Sequence, residues 1–230
     1  MNKTELIVAL DVDSVAQAEV LVDEIGPSVV WYKIGKQLFT REGVAALTML
    51  KSKNKKIFLD LKFHDIPNTV AHAVKSALSI GADMVNFHAF GGSEMIQKTV
   101  EANKAEYPDA LLIAVTVLTS MDQAALSELG VEGTPAMVVE RFAKMAKANG
   151  AQGVVCSALE IDLVKAACGP EFKLIVPGIR PAGSSVDDQK RIMTPTEASS
   201  KGADYIVVGR PITKAANKQQ AAAAILEELA

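Results

Sequence analysis

Short apolar runs alternate with longer amphipathic stretches along the whole chain, and this alternation limits the fold more than any other feature. Strands are expected at Leu6–Leu10, Val29–Ile34, Lys56–Leu61, Met84–Phe87, Leu111–Val117, Gly153–Cys156, Phe172–Val176 and Tyr205–Val208. Helical spacing predicts helices over Ser14–Ile25, Gly35–Lys51, Thr69–Ile80, Glu94–Ala105, Thr134–Ala148 and Leu159–Ala167, with a last one at Lys218–Leu229. Eight strand–helix units in 230 residues come to about 29 residues each, the length of a βαβ repeat. The strands are continuously apolar, as expected when both faces of a parallel sheet are covered. Gly81-Ala82-Asp83, Gly150-Ala151-Gln152 and Gly202-Ala203-Asp204 each join a helix to a strand, with Gly in the left-handed position that stops the helix.

Eight parallel units close into a (β/α)8 TIM barrel, expected here as a single catalytic domain over residues 1–230 with no linker. An open doubly wound sheet would want a Gly-rich turn after its first strand, whereas this turn reads Asp11-Val12-Asp13-Ser14. The 49% hydrophobic content is enough to form a core, and 5% aromatic content suits tight helix–sheet packing. A net charge of −3 argues against nucleic acid as a partner, though not against a small local anion site. The longest apolar runs, Ala110–Val115 and Ala221–Leu226, are too short to span a membrane. The apolar run before Asp11 is too short for a signal-peptide core. Cys156 and Cys168 have no CxxC or ligand spacing, so free buried thiols in a reducing cytoplasm are expected.

In such a barrel the active site lies at the C-terminal ends of the strands. Asp11, Lys33, Asp60-Leu61-Lys62, His88, Thr119-Ser120, Pro177-Gly178-Ile179-Arg180 and Gly209-Arg210 all fall there. Each has a plain reading: Asp11 as a helix cap, His88 as a hydrogen-bonded core residue, Asp60 and Lys62 as a salt bridge closing the barrel top. Their convergence on one rim favours a site. Asp60 and Lys62 are two apart on a strand and so face the same side, whereas Asp65 lies in the loop, where the strand does not fix its direction. Asp11, Asp60, Asp65, His64 and His88 are possible metal ligands, but Lys62 among the carboxylates would repel a divalent cation, so no metal is expected. After the last strand, Gly209 lets a ligand approach the backbone, Arg210 offers a bidentate fork for phosphate, and Pro211 begins a helix. The stretch Pro177–Thr194 is a candidate lid.

The segments DLKFHDIPNTV at 60–70, ALDVDS at 9–14, YKIG at 32–35, VTVLTS at 115–120, VPGIRP at 176–181 and VVGRPI at 207–212 resemble those of the orotidine 5′-monophosphate decarboxylases, in order and over essentially the full length. The resemblance implies a cytoplasmic lyase that converts orotidine 5′-monophosphate to UMP, the last step of de novo pyrimidine biosynthesis, with no metal or organic cofactor. It implies a homodimer of barrels with shared sites: Asp60 and Lys62 from one subunit, Asp65 and Thr69 from the other. Lys62 would protonate the carbanion at carbon 6 of the pyrimidine, with Asp60 and Asp65 as its catalytic neighbours. Asp11 and Lys33 would hold the ribose, and Thr119, with Ser120 beside it, would contact the pyrimidine. Arg180, Gln189, Gly209 and Arg210 would hold the phosphate, Gln189 from the closing loop. The rival readings are a Mg²⁺-dependent decarboxylase of a sugar-acid phosphate, a phosphosugar epimerase, and a non-catalytic nucleotide-binding barrel.

Overall fold

The structure, a computed structural model, describes residues 4–181 and 193–229. Eight parallel strands form a closed barrel in sequence order: β1 (Glu5–Ala9), β2 (Trp31–Gly35), β3 (Lys56–Phe63), β4 (Met84–His88), β5 (Leu111–Val115), β6 (Gly153–Val155), β7 (Lys173–Pro177) and β8 (Tyr205–Val208). Closure comes from β1 pairing β8, with Glu5 opposite Tyr205 and Val8 opposite Val208. The eight expected strands are all present, with no end moved by more than two residues.

The helices are α1 (Val15–Ile25), α2 (Lys36–Glu42), α3 (Val44–Ser52), α4 (Pro67–Ser79), α5 (Gly92–Lys104), α6 (Gln123–Glu128), α7 (Pro135–Ala148), α8 (Ile161–Cys168), α9 (Pro195–Ser200), α10 (Arg210–Thr213) and α11 (Lys218–Glu228). Ser14 and Thr134 cap α1 and α7, each accepting a backbone N–H from three residues on. Thr194 and Glu197 form a reciprocal capping box at α9. Gly81, Gly150 and Gly202 follow α4, α7 and α9 with φ of 104°, 85° and 97°, the left-handed stop that the repeated motif requires.

Two helix expectations need correction. The stretch Gly35–Lys51 is two helices, because Gly43 at φ 55° breaks the chain between α2 and α3. Leu159–Ala167 begins with a 3₁₀ turn over Ala158–Glu160, and regular helix starts only at Ile161. Among the described residues no helix is long and apolar enough to cross a membrane.

Two apolar layers hold the barrel. The larger lies between strands and helices and includes Leu6, Val8, Tyr32, Ile34, Leu59, Val85, Phe87 and Ile206. The smaller fills the barrel interior with Ile7, Ala9, Trp31, Phe58, Met84, Ile113, Ile175, Tyr205 and Val207. Strand alternation links this plug to the site. Two residues beyond Trp31 is Lys33, two beyond Phe58 is Asp60, and two beyond Met84 is Asn86. The apolar plug thus supports a polar layer at the C-terminal mouth.

Candidate active site

At the mouth, four side chains form a row of alternating charge. Lys33 Nζ lies 3.2 Å from Asp11 Oδ1 and 3.4 Å from Asp60 Oδ2. Lys62 Nζ lies 2.5 Å from Asp60 Oδ1. Asp60 is the buried centre of the row, while the Asp11 carboxylate is more than half exposed. Burial alone would push the Asp60 carboxyl up. The charges of Lys33 and Lys62, with hydrogen bonds from Lys62 and Asn86, outweigh it and hold the group below the ordinary carboxylate value. Burial likewise opposes the Lys33 charge, but Asp60 and Asp11 reverse this and raise its pKa.

The pairing of Asp60 with Lys62 is as expected, but strand alternation is not the reason. Between Leu59 and Phe63 the β3–β4 register shifts, so Leu59 faces Val85 and Phe63 faces Phe87. The extra length of β3 is taken up in a bulge, where Lys62 adopts φ 55°. A non-glycine residue in this left-handed region costs about 1–2 kcal/mol. The backbone of the bulge, with the Lys62 N–H bonded to Asn86 Oδ1, aims Lys62 at Asp60.

The row borders a cavity whose walls include Phe58, Val115, Val155, Ile175 and Val207, with Thr119 at its polar edge. Ser120 is exposed and outside this lining. On the far side, a Cβ added to Gly209 would stand 3.6 Å from Ala9 Cβ and 3.9 Å from Asp11 Oδ2, so the open backbone at Gly209 adjoins the row. Arg210 then starts α10, a single turn with Pro211 at its beginning. Arg180 is buried at the end of β7, where its N–H donates to Met193 O at 3.0 Å and one guanidinium nitrogen donates to Ile179 O at 3.1 Å. Gln189 and most of the candidate lid lie outside the described residues.

Asp65 and Thr69 are exposed and stand apart from the row within this chain. The Asp65 carboxylate accepts the N–H of Ile66 at 2.7 Å. Ile66, beside it, is a large apolar side chain with 67% of its surface exposed.

The sequence matches the profile of the Orotidine 5'-phosphate decarboxylase / HUMPS family over residues 4–225. The chain belongs to this family. The Orotidine 5'-phosphate decarboxylase of Trichlorobacter lovleyi is 47% identical to it over 230 residues, covering 99% of this chain and 95% of that one. The protein of the same name from Dichelobacter nodosus is 48% identical over 229 residues, covering 100% of both. The crystal structure of Orotidine 5'-phosphate decarboxylase from Lactobacillus acidophilus matches with a TM-score of 0.87 and 39% identity, covering 98% of this chain and 99% of that one.

Sequence reasoning missed two residues of this family member's site. Asn86 is fully buried and joins the row: its amide donates to Asp60 Oδ1 at 2.7 Å and accepts the backbone N–H of Lys62 at 2.8 Å. The available signal was an amide at an inward position of an otherwise apolar strand. Gly35 is the other. A Cβ there would lie 2.9 Å from Lys33 Nζ and 3.3 Å from Asp11 Oδ1, so the bare backbone makes room for the ammonium.

Proposed function

We propose that this chain decarboxylates orotidine 5′-monophosphate to UMP in pyrimidine biosynthesis. Family membership supports the reaction, and the observation that carries its mechanism is the Asp11–Lys33–Asp60–Lys62 row at the cavity mouth. The bond from carbon 6 to the carboxylate breaks and CO₂ leaves. The electron pair stays on carbon 6, in an sp² orbital that the ring does not delocalise. Lys62, as an ammonium, stabilises that developing charge and then transfers a proton to the carbon. Solvent returns a proton to the resulting amine.

Asp60 would lie near the substrate carboxylate. Two like charges about 4 Å apart repel by roughly 4 kcal/mol at an effective dielectric near 20, and loss of neutral CO₂ relieves this. Lys33 limits the cost of keeping Asp60 ionised before substrate arrives. In this reading Asp11 and Lys33 hold the ribose, and Thr119 and Ser120 the pyrimidine. Gly209, Arg210, Arg180 and Gln189 hold the phosphate. Phosphate binding far from carbon 6 supplies energy to close the site and exclude water.

The exposed Asp65 and Thr69 are assigned to the neighbouring site of a homodimer. Exposed Ile66 between them suits burial against a second copy. Buried, unpaired Cys156 and Cys168 support a cytoplasmic setting.

The deciding experiment follows the absorbance change of orotidine 5′-monophosphate with purified protein, with and without chelator. Equal turnover in both is expected. Activity lost to EDTA and restored by Mg²⁺ would overturn the mechanism, and UMP binding without turnover would overturn the enzyme. For the shared site, mixing a Lys62→Ala protein with an Asp65→Ala protein should restore part of the activity, since some sites then regain every native residue. No recovery after verified subunit exchange would refute the sharing.

A further inference from the structure

We propose that Asn86 is a positioning residue for the reaction, locking both ends of Lys62 to Asp60 so that the ammonium is aimed before substrate binds. This rests on the decarboxylase reading given above and deepens it.

In the bulge of β3, the register runs from Leu59 opposite Val85 to Phe63 opposite Phe87, so the regular ladder is interrupted around Lys62. Lys62 there has φ 55°. A backbone N–H in so confined a place needs a partner. Asn86 Oδ1 provides it at 2.8 Å.

The same amide reaches the other end of the lysine through Asp60. Asn86 Nδ2 donates to Asp60 Oδ1 at 2.7 Å, and Lys62 Nζ donates to that same oxygen at 2.5 Å. The result is a closed ring: Lys62 backbone, Asn86 amide, Asp60 carboxylate, Lys62 ammonium. Its chemistry allows one orientation of the amide. The Lys62 N–H requires an acceptor and the Asp60 carboxylate requires a donor, so Oδ1 and Nδ2 cannot exchange. Asn86 is also fully buried, which removes competing water.

An amide donates and accepts from two separate atoms without a charge, which is what the ring requires here. A carboxylate at position 86 would accept from Lys62 but would face Asp60 with a second negative charge. An alanine would leave the Lys62 N–H and Asp60 Oδ1 each short of one bond. In both cases the ammonium keeps its attraction to Asp60 but loses its fixed direction. Small misplacement of a catalytic group costs about a hundredfold in rate.

The test compares Asn86→Ala and the size-matched Asn86→Asp with the parent, whose turnover is measured first. Asn103→Ala serves as a control, because Asn103 is also fully buried but among the described residues bonds only the carbonyls of Ala71 and Thr99. The expected result is a fall in kcat of about a hundredfold in both Asn86 variants, with KM within about threefold. In Asn86→Asp the acid limb of the kcat profile should also move to higher pH, since one of two adjacent carboxyls is then harder to ionise. Amide hydrogen exchange at Lys62, read by NMR without substrate, should be faster in Asn86→Ala than in the parent. Asn103→Ala should lower the melting temperature and leave the pH profile unchanged.

If Asn86→Ala does not fold, Asn86→Asp decides. A kcat within about threefold of the parent in a folded Asn86 variant, with an unmoved acid limb, would overturn the proposal. A parent with no turnover would overturn the functional reading instead, and assaying it before any substitution keeps the two failures distinct.

Discussion

Asp60 and Asp204 occupy opposite ends of the same barrel with nearly the same surroundings. Each carboxylate is about nine-tenths buried and lies between two lysines. Asp60 meets Lys33 at 3.4 Å and Lys62 at 2.5 Å. Asp204, just before β8, meets Lys165 at 2.8 Å and Lys173 at 2.9 Å. The difference lies in what the lysines have left over. Lys165 also donates to Pro170 O at 2.9 Å and Phe172 O at 3.0 Å, and Asp204 also accepts the N–H of Leu174 at 3.0 Å. That network fastens the α8–β7 connection to the start of β8. Among the described residues, Lys62 Nζ bonds only Asp60, and it lines a cavity from a left-handed backbone. The same charges make a staple where Lys165 spends all three of its donors, and a site where an ammonium keeps donors facing open space.

The largest effect that would break this contrast is at Lys62. Lys62→Ala removes both the proposed proton donor and the positive charge assigned beside carbon 6. General acids contribute about 10²–10⁴-fold and preorganised charge about 10²–10³-fold, so turnover should fall by at least about 10⁴-fold. UMP affinity, measured by calorimetry, should stay within about tenfold, since the proposed contacts to ribose and phosphate lie elsewhere. Turnover within about a hundredfold of the parent would remove Lys62 from the chemistry.

Gly35→Ala should have the next largest effect and sharpen the contrast, because it disturbs geometry without removing a charge. Gly35 has φ −95° and ψ −177°, a conformation alanine adopts without strain. The new Cβ would nevertheless stand 2.9 Å from Lys33 Nζ. We expect kcat/KM to fall about 10- to 100-fold while the melting temperature moves by less than about 2 °C. A large loss of stability with normal kcat/KM would show that the row tolerates displacement of Lys33.

Asp204→Asn tests the other end. It leaves Lys165 and Lys173 without their shared anion, at a cost of about 3 kcal/mol for a mostly buried group. For a chain of this size that is roughly 6 °C in melting temperature. Activity at 25 °C should remain within about twofold of the parent. A hundredfold loss of kcat in a folded variant would mean that the two ends are coupled and the division into staple and site is wrong.

How far the sequence revealed all this follows the physics of each element. The strands were legible because continuous Val, Ile and Leu runs have few other uses in a chain of this composition, and Tyr205–Val208 matches at both ends. The break between α2 and α3 was hidden because apolar spacing continues through Phe39, Ala46 and Leu50, and only the backbone at Gly43 shows it. Helices α6, α9 and α10 have four to six residues, too few for a period to emerge. In the site, Asp11, Lys33, Asp60 and Lys62 stood out as polar groups ending apolar strands. The left-handed turn at Lys62 did not, because a lysine carries no signal for it. Asn86 was read only as part of a strand, since its role depends on a bulge in the neighbouring one.

The smallest predicted effect separates the two ends by pH. The rings of His64 and His88 lie 5.6 Å apart at the mouth, tilted by 43°. Burial first, then the positive neighbours His64, Lys62 and Lys36, lower the His88 pKa from 6.5 to about 4, against the opposing pull of Asp60. Between these two values the unfolded chain binds a proton that folded His88 refuses. Stability from this group is therefore full above pH 6.5 and declines as pH falls toward about 4. Asp60, whose pKa is held below 3.8, loses its contribution only at lower pH. Melting temperature measured across pH 7 to 4 should accordingly fall in the parent and flatten in His88→Gln. In Asp204→Asn the curve should be displaced downward with its slope in this window preserved, because the network at that end has no histidine in it. An unchanged slope in His88→Gln would take acid sensitivity away from the mouth of the barrel.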